Sequence, residues 1–336
     1  MHSPLYAWLL CLSDPDGFQA ALPKRPLGIN ALRQLFCLAK KHAVLPAVIT
    51  NTQNIVTKHG IASFTTGSPA EFQSLLQKAE REWRRRIAFC LVLRRQADEI
   101  RQAFTRQSIP VILLKGADFA DRLYRSPSFR IFTDIDLLLP HSAITEAGSV
   151  MKEIGYSCRP ARRKYASEYG QTAWQRDSAS GGTVEIHWNL VNSPTVRRAV
   201  SVHFEDIQID HSVPRRPTAA ALLLIAAVHA ATGHAFDRLL LLCDIRQICR
   251  GAAGPIDLEY FSGIIQKTGS ARSVASALHL SGRTLPEATC QQIARQLQLP
   301  DYPTMNRMIS PALVLRKRKG IDDWRRKIYR EMLKQA

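Results

Sequence analysis

Residues 109–140 read IPVILLKGADFADRLYRSPSFRIFTDIDLLLP, and the fold turns on this stretch. An apolar strand over Val111 to Leu114 runs into Lys115-Gly116-Ala117. Helical composition follows from Ala117 to Tyr124, and after a loop Asp134-Ile135-Asp136 opens a second strand. Residues two apart on a strand share a face with Cα atoms roughly 6.5–7 Å apart, so Asp134 and Asp136 stand together while Ile135 enters a core. Two carboxylates side by side on a buried strand repel each other unless a cation lies between them. Mg²⁺ takes one or two carboxylates and completes its shell with water and substrate phosphate. D-x-D on a rigid strand is therefore a phosphoryl-transfer device.

The turn ahead of the aspartates fits that chemistry. Gly116 permits close backbone approach, the start of the helix offers free N–H groups, and Lys115 adds a full charge; an ordinary strand-to-helix turn would carry the same glycine. A third acid comes from Gly182 to Leu190, GTVEIHWNL, where Thr183, Glu185 and His187 share one strand face and Val184, Ile186 and Trp188 the other. Paired beside the D-I-D strand, Glu185 can bind a second metal or take the proton of an acceptor hydroxyl, with His187 one pleat away. Lys115 and Arg130 flank the strand edges and are the candidates for triphosphate contacts, Arg130 reading equally well as a loop surface charge.

These residues resemble the minimal nucleotidyltransferases of the DNA polymerase beta superfamily: a strand ending at Gly116-Ala117, a helix, a strand bearing Asp134-Ile135-Asp136, and a later strand with Glu185. More narrowly, LLKGADFADRLY, FTDIDLLL and VEIHW are similar to a bacterial group of uncharacterised nucleotidyltransferases with helical flanks on both sides of a small sheet. The resemblance implies an α+β fold with a small mixed sheet and two divalent ions, Mg²⁺ or Mn²⁺, at Asp134, Asp136 and Glu185. It also implies an NTP co-substrate held by Lys115, Gly116, Arg130 and His187, with pyrophosphate as leaving group. Ala117 stands where the superfamily usually has serine, which removes a hydroxyl from the phosphate cradle. His229, Arg238 and Asp244 resemble recurring positions of the narrower group, and either line a base or acceptor pocket or form a buried, mutually satisfied cluster.

A chain of 336 residues can bury a large core, and 46% hydrophobic content excludes disorder as its theme. The net charge of +18 points to an anionic partner such as nucleic acid, an acidic membrane surface or an acidic protein, unless it is simply solvated surface. Seven cysteines without a C-x-x-C pair suit a reducing cytosol and exclude a zinc knuckle or disulfide framework. The first residues lack the basic region of a signal peptide, and the longest apolar run, Ala219 to Val228, is too short to span a bilayer.

Three regions follow: helical 1–106, a catalytic core over 107–215, and helical 216–336 with a basic tail. Ser68-Pro69-Ala70-Glu71 matches a capping box, and the period from Phe72 to Phe104 predicts an amphipathic rod of about forty residues, roughly 55–60 Å. That rod carries Arg81, Arg84, Arg85, Arg86, Arg94 and Arg95, either a solvated face or a nucleic-acid contact. A helix over Ser142 to Ile154 stopping at Gly155, strands around Tyr156 and Tyr165, and a Ser-Gly-Gly turn at 180–182 lead to Glu185. Thr218 caps the apolar helix, and a second helix runs from Phe236 to Arg250. No P-loop, dinucleotide fingerprint or serine elbow occurs. The reading is a cytoplasmic, metal-dependent nucleotidyltransferase whose acceptor, a small molecule, peptide, protein or RNA, the sequence leaves open. The alternative is a non-catalytic basic protein binding nucleotide or nucleic acid on a degenerate scaffold.

Overall fold

The computed structural model describes residues 4–17, 21–159, 169–176, 181–210, 216–285, 288–316 and 320–334. Three helices, α1 (Pro4–Leu12), α2 (Ile29–Lys41) and α3 (Leu45–His59), precede α4 (Pro69–Arg106), a single helix of 38 residues. The capping box is formed on both sides: Ser68 accepts from the Glu71 N–H and Glu71 reaches back to the Ser68 N–H.

The core follows as β1 (Ile112–Leu113), α5 (Ala117–Leu123), β2 (Asp134–Leu138), α6 (Ile144–Glu153), β3 (Tyr156–Cys158), β4 (Gln171–Arg176), β5 (Thr183–His187) and α7 (Pro194–Arg197). A small ribbon of β6 (Ile209–Asp210) and β7 (Arg216–Pro217) leads to α8 (Ala219–Val228) and α9 (Leu239–Cys249). Beyond them lie α10 (Leu258–Lys267), α11 (Ala271–Thr284), α12 (Ala288–Gln296), α13 (Pro303–Met308), α14 (Pro311–Leu315) and α15 (Gly320–Met332). Among the described residues no helix is long and apolar enough to cross a membrane.

The sheet has the order β1-β2-β5-β4-β3, with β2 and β5 parallel and the other pairs antiparallel. It is the small mixed sheet of an α+β fold. Strand alternation divides its faces: Ile135, Leu137, Val184 and Ile186 pack with Leu93, Ala97 and Ile100 of α4, leaving Asp134, Asp136, Glu185 and His187 on the opposite face. A second core joins α1–α3 to the C-terminal helices, so the two helical ends of the chain share apolar packing. His42 ties them with hydrogen bonds to the Leu315 carbonyl and from the Leu239 N–H.

Several expected boundaries shift. The strand foreseen over Val111 to Leu114 is reduced to Ile112 and Leu113, with the Leu114 N–H still donating to the Asp136 carbonyl, and α6 begins at Ile144 because a short 3₁₀ turn occupies His141–Ala143. Gly155 stops that helix at φ +83°, as expected. Thr218 caps α8 by accepting from the Ala221 N–H. The helix expected from Phe236 starts only at Leu239, because a π-turn over His229–His234 ends in left-handed Ala235 and Phe236. Tyr165 and Ser180 lie outside the described residues.

Candidate active site

Register decides which carboxylates meet. On the parallel pair β2/β5, Asp136 stands opposite Glu185, Asp134 opposite Thr183 and Leu138 opposite His187. The start of β5 lies against α4: a Cβ on Gly182 would come within 2.1 Å of Leu93 Cδ2 and displace that buried side chain, and the Gly182 N–H donates to Gln96 Oε1. From that point the two-residue period carries Glu185 and His187 to the aspartate face.

His187 Nε2 lies 3.2 Å from Asp136 Oδ1 and 3.6 Å from Glu185 Oε2, and Lys115 Nζ is 3.0 Å from the same Asp136 oxygen. Asp136 is 2% exposed. Burial alone would raise its carboxyl, but Lys115 and then the hydrogen bond from His187 outweigh it and hold Asp136 well below the usual carboxylate range. Asp134 behaves in the opposite way, pushed up by burial and by the Asp136 charge, which Lys115 only partly offsets. The His187 imidazole is raised despite burial because Asp136 accepts from it and the Glu185 carboxylate lies close by.

Donor atoms of Asp136, Glu185 and His187 lie within 4.8 Å of one another, and Asp136 Oδ2 is buried with no hydrogen-bond partner. An orphaned carboxylate oxygen among two carboxylates and an imidazole fits a divalent cation. Asp134 shares the face but stands outside this group of three.

The turn before α5 is built for close approach. Gly116 has φ +58°, a backbone conformation that residues with side chains rarely adopt. Arg130, foreseen at the strand edge, is instead enclosed: its Nε and Nη2 donate to Asp244 at 2.8 and 2.7 Å, its Nη1 donates to the Gly116 carbonyl at 3.3 Å, and it is 5% exposed. The Tyr124 hydroxyl donates to Asp244 at 2.6 Å. Arg130 therefore braces the turn from behind.

Arg238 parts from His229 and Asp244, which line one small cavity. Asp244 serves Arg130, and Arg238 pairs with Asp237 and His234. His229 lines that cavity with Lys115 and Phe119. Burial and the Lys115 charge push its imidazole well below the usual histidine range. Sequence reasoning missed the Tyr124–Asp244–Arg130 brace and the π-turn over His229–His234. No local pattern marks either, although π-turns recur at functional sites.

Residues 31–286 match the family model described as "Uncharacterised nucleotidyltransferase". No curated protein matches the chain. Among solved structures, the solution structure of the antibiotic-resistance factor ANT(2'')-Ia is similar at 13% identity and a TM-score of 0.35, over 54% of this chain and 94% of that one.

Proposed function

Because the chain belongs to the uncharacterised nucleotidyltransferase family, we propose that it transfers a nucleoside monophosphate from an NTP to an acceptor hydroxyl, with pyrophosphate leaving, at Asp134, Asp136 and Glu185. The observation that carries this reading is the parallel register that sets Asp136 against Glu185, with Asp136 Oδ1 held by Lys115 and His187 and its Oδ2 buried without a partner. Asp136 and Glu185, with Asp134 beside them, would hold Mg²⁺ or Mn²⁺, which when bound neutralises phosphate charge and lowers the pKa of a coordinated hydroxyl.

The side chains divide the remaining work. Glu185 keeps 28% of its side-chain surface and is the carboxylate an incoming hydroxyl can reach, so it takes the acceptor proton or completes the metal site. His187 orients Asp136 and Glu185 by its Nε2 contacts to both. Lys115 neutralises Asp136 in the protein alone, and its ammonium can turn from that carboxylate to a phosphate oxygen. The Gly116 turn offers backbone to the β and γ phosphates, and Arg130 keeps the turn in place through the Gly116 carbonyl.

Titration calorimetry of NTP into the protein with Mg²⁺ or Mn²⁺ tests the site. Metal-dependent binding is expected for the wild type and lost in Asp136→Asn. Equal binding by the two proteins would remove Asp136 from the site.

A further inference from the structure

The exposed side of α4 plays no part in the chemistry above, and its residues form a pattern. Leu75, Lys78, Glu82, Arg85, Phe89 and Val92 are spaced three, four, three, four and three residues apart. That is the alternation that keeps one seam in line when a second helix packs along the first. The seventeen helical steps from Leu75 to Val92 give the seam a length of about 26 Å. Phe89 and Val92 are 37% and 40% exposed, and neither packs against either core. At the other end the seam opens into a groove between α2 and α4, floored by Phe36, Leu45, Leu75 and Ala79.

Charge says what covers it. Among the described residues, Arg33, Lys78, Arg81 and Arg85 on the rim of this groove have no carboxylate within ion-pair distance. Other arginines of the same helix are paired, Arg84 with Glu80, Arg86 with Glu82, Arg94 with Asp121 and Arg95 with Glu99, while Arg106 at the far end donates instead to the Gln102 carbonyl. Glu82, the acid on the seam, is already taken by Lys40 and Arg86. A second copy of the chain would set these cations against themselves, and Leu75, Phe89 and Val92 in a helical register, with one aromatic among them, do not form the stacking row of a surface that tracks a single strand.

We propose that this face of α4, with α2 as its wall, docks an acidic amphipathic helix of a partner protein. Apolar side chains of that helix lie along Leu75, Phe89 and Val92, while its flanking carboxylates meet Arg33, Lys78, Arg81 and Arg85. The surface shares no residue with the carboxylate site, so the two assignments stand or fall separately.

The probe is a dye-labelled synthetic helix of about 21 residues, three heptads, with Leu at a and d and Glu at e and g, beside a scrambled peptide of the same composition. Fluorescence anisotropy at physiological salt should show the patterned helix binding at least about tenfold more tightly than the scrambled one. Arg81→Glu with Arg85→Glu, and separately Phe89→Ser with Val92→Ser, should each weaken it by about tenfold or more. All four residues are exposed, and circular dichroism checks that the helix content is kept. The control is Lys58→Glu with Lys327→Glu, which removes the same charge at exposed sites elsewhere and should change affinity by less than about twofold. Cys37 lines the groove and is exposed, so the patterned helix should shield it from iodoacetamide while Cys158, exposed on β3, still reacts. Equal binding of the scrambled peptide, an equal loss in the control variant, or unshielded Cys37 would each overturn the proposal. So would a Phe89-dependent dimer in sedimentation, or single-stranded RNA or anionic vesicles displacing the helix from this face.

Discussion

Asp244→Asn is the sharpest test of how the site is held. Asp244 is 2% exposed and accepts two hydrogen bonds from Arg130 and one from Tyr124, so the substitution leaves a buried guanidinium facing a neutral amide. Breaking one side of such a pair costs about 3–5 kcal/mol, most of it the price of a buried charge left without its counter-charge. Unfolding entropy is roughly 2.1 cal/mol/K per residue, or about 0.7 kcal/mol/K for a chain of this length melting as one unit. The loss then lowers Tm by about 4–7 °C. Replacing the group together, with Arg130→Met, Asp244→Leu and Tyr124→Phe, removes both charges and the hydroxyl. It should recover most of the loss, since apolar isosteres of a buried pair are often neutral. Urea denaturation of the single, double and triple variants gives the coupling directly. Because Arg130 also holds the Gly116 carbonyl, metal-dependent NTP binding should weaken even in the stable triple variant. Single variants losing less than about 1 kcal/mol, or losses that simply add, would refute the brace.

The two aspartates should respond in opposite senses. Asp134→Asn relieves a carboxyl held up by burial and by Asp136 and is expected to raise Tm, whereas Asp136→Asn strands Lys115 and His187 and is expected to lower it; equal shifts in scanning calorimetry would contradict this. Glu185→Gln should retain NTP yet lose transfer by at least about a hundredfold, read as pyrophosphate release with an acceptor in hand, and His187→Ala should lose less. In the same strand Val184→Ala and Ile186→Ala should cost roughly 1–4 kcal/mol of stability and spare the chemistry of the folded fraction. His42 gives a pH signature: burial pushes its imidazole down to about 4 although the Leu315 carbonyl acts to raise it. The unfolded chain therefore binds the extra proton between about pH 6.5 and 4. Some 3 kcal/mol present above that window is lost as pH falls through it, and a pH-independent difference between wild type and His42→Gln would refute this.

Short-range rules made much of this protein legible in its sequence. A period of two put Asp134 with Asp136 on one face of their strand and Glu185 with His187 on one face of theirs, and the capping box at Ser68 announced the 38-residue helix. Thr218 and Gly155 marked ends that the backbone confirms, since caps and left-handed stops depend on a few adjacent residues. What the sequence left undecided is what distant packing chooses. Asp136 rather than Asp134 meets Glu185 in the register that β5 takes up beside β2, starting where Gly182 lies against α4. Arg130 turns inward because α9 brings Asp244 to it from 114 positions away, and an arginine with a buried partner looks in sequence like one in a surface loop. The π-turn at His229 and the neutral His42 between Leu239 and Leu315 have the same origin. Local propensity sets the elements and their faces, but ion-pair partners, strand register and the burial that shifts a pKa exist only once the elements have docked.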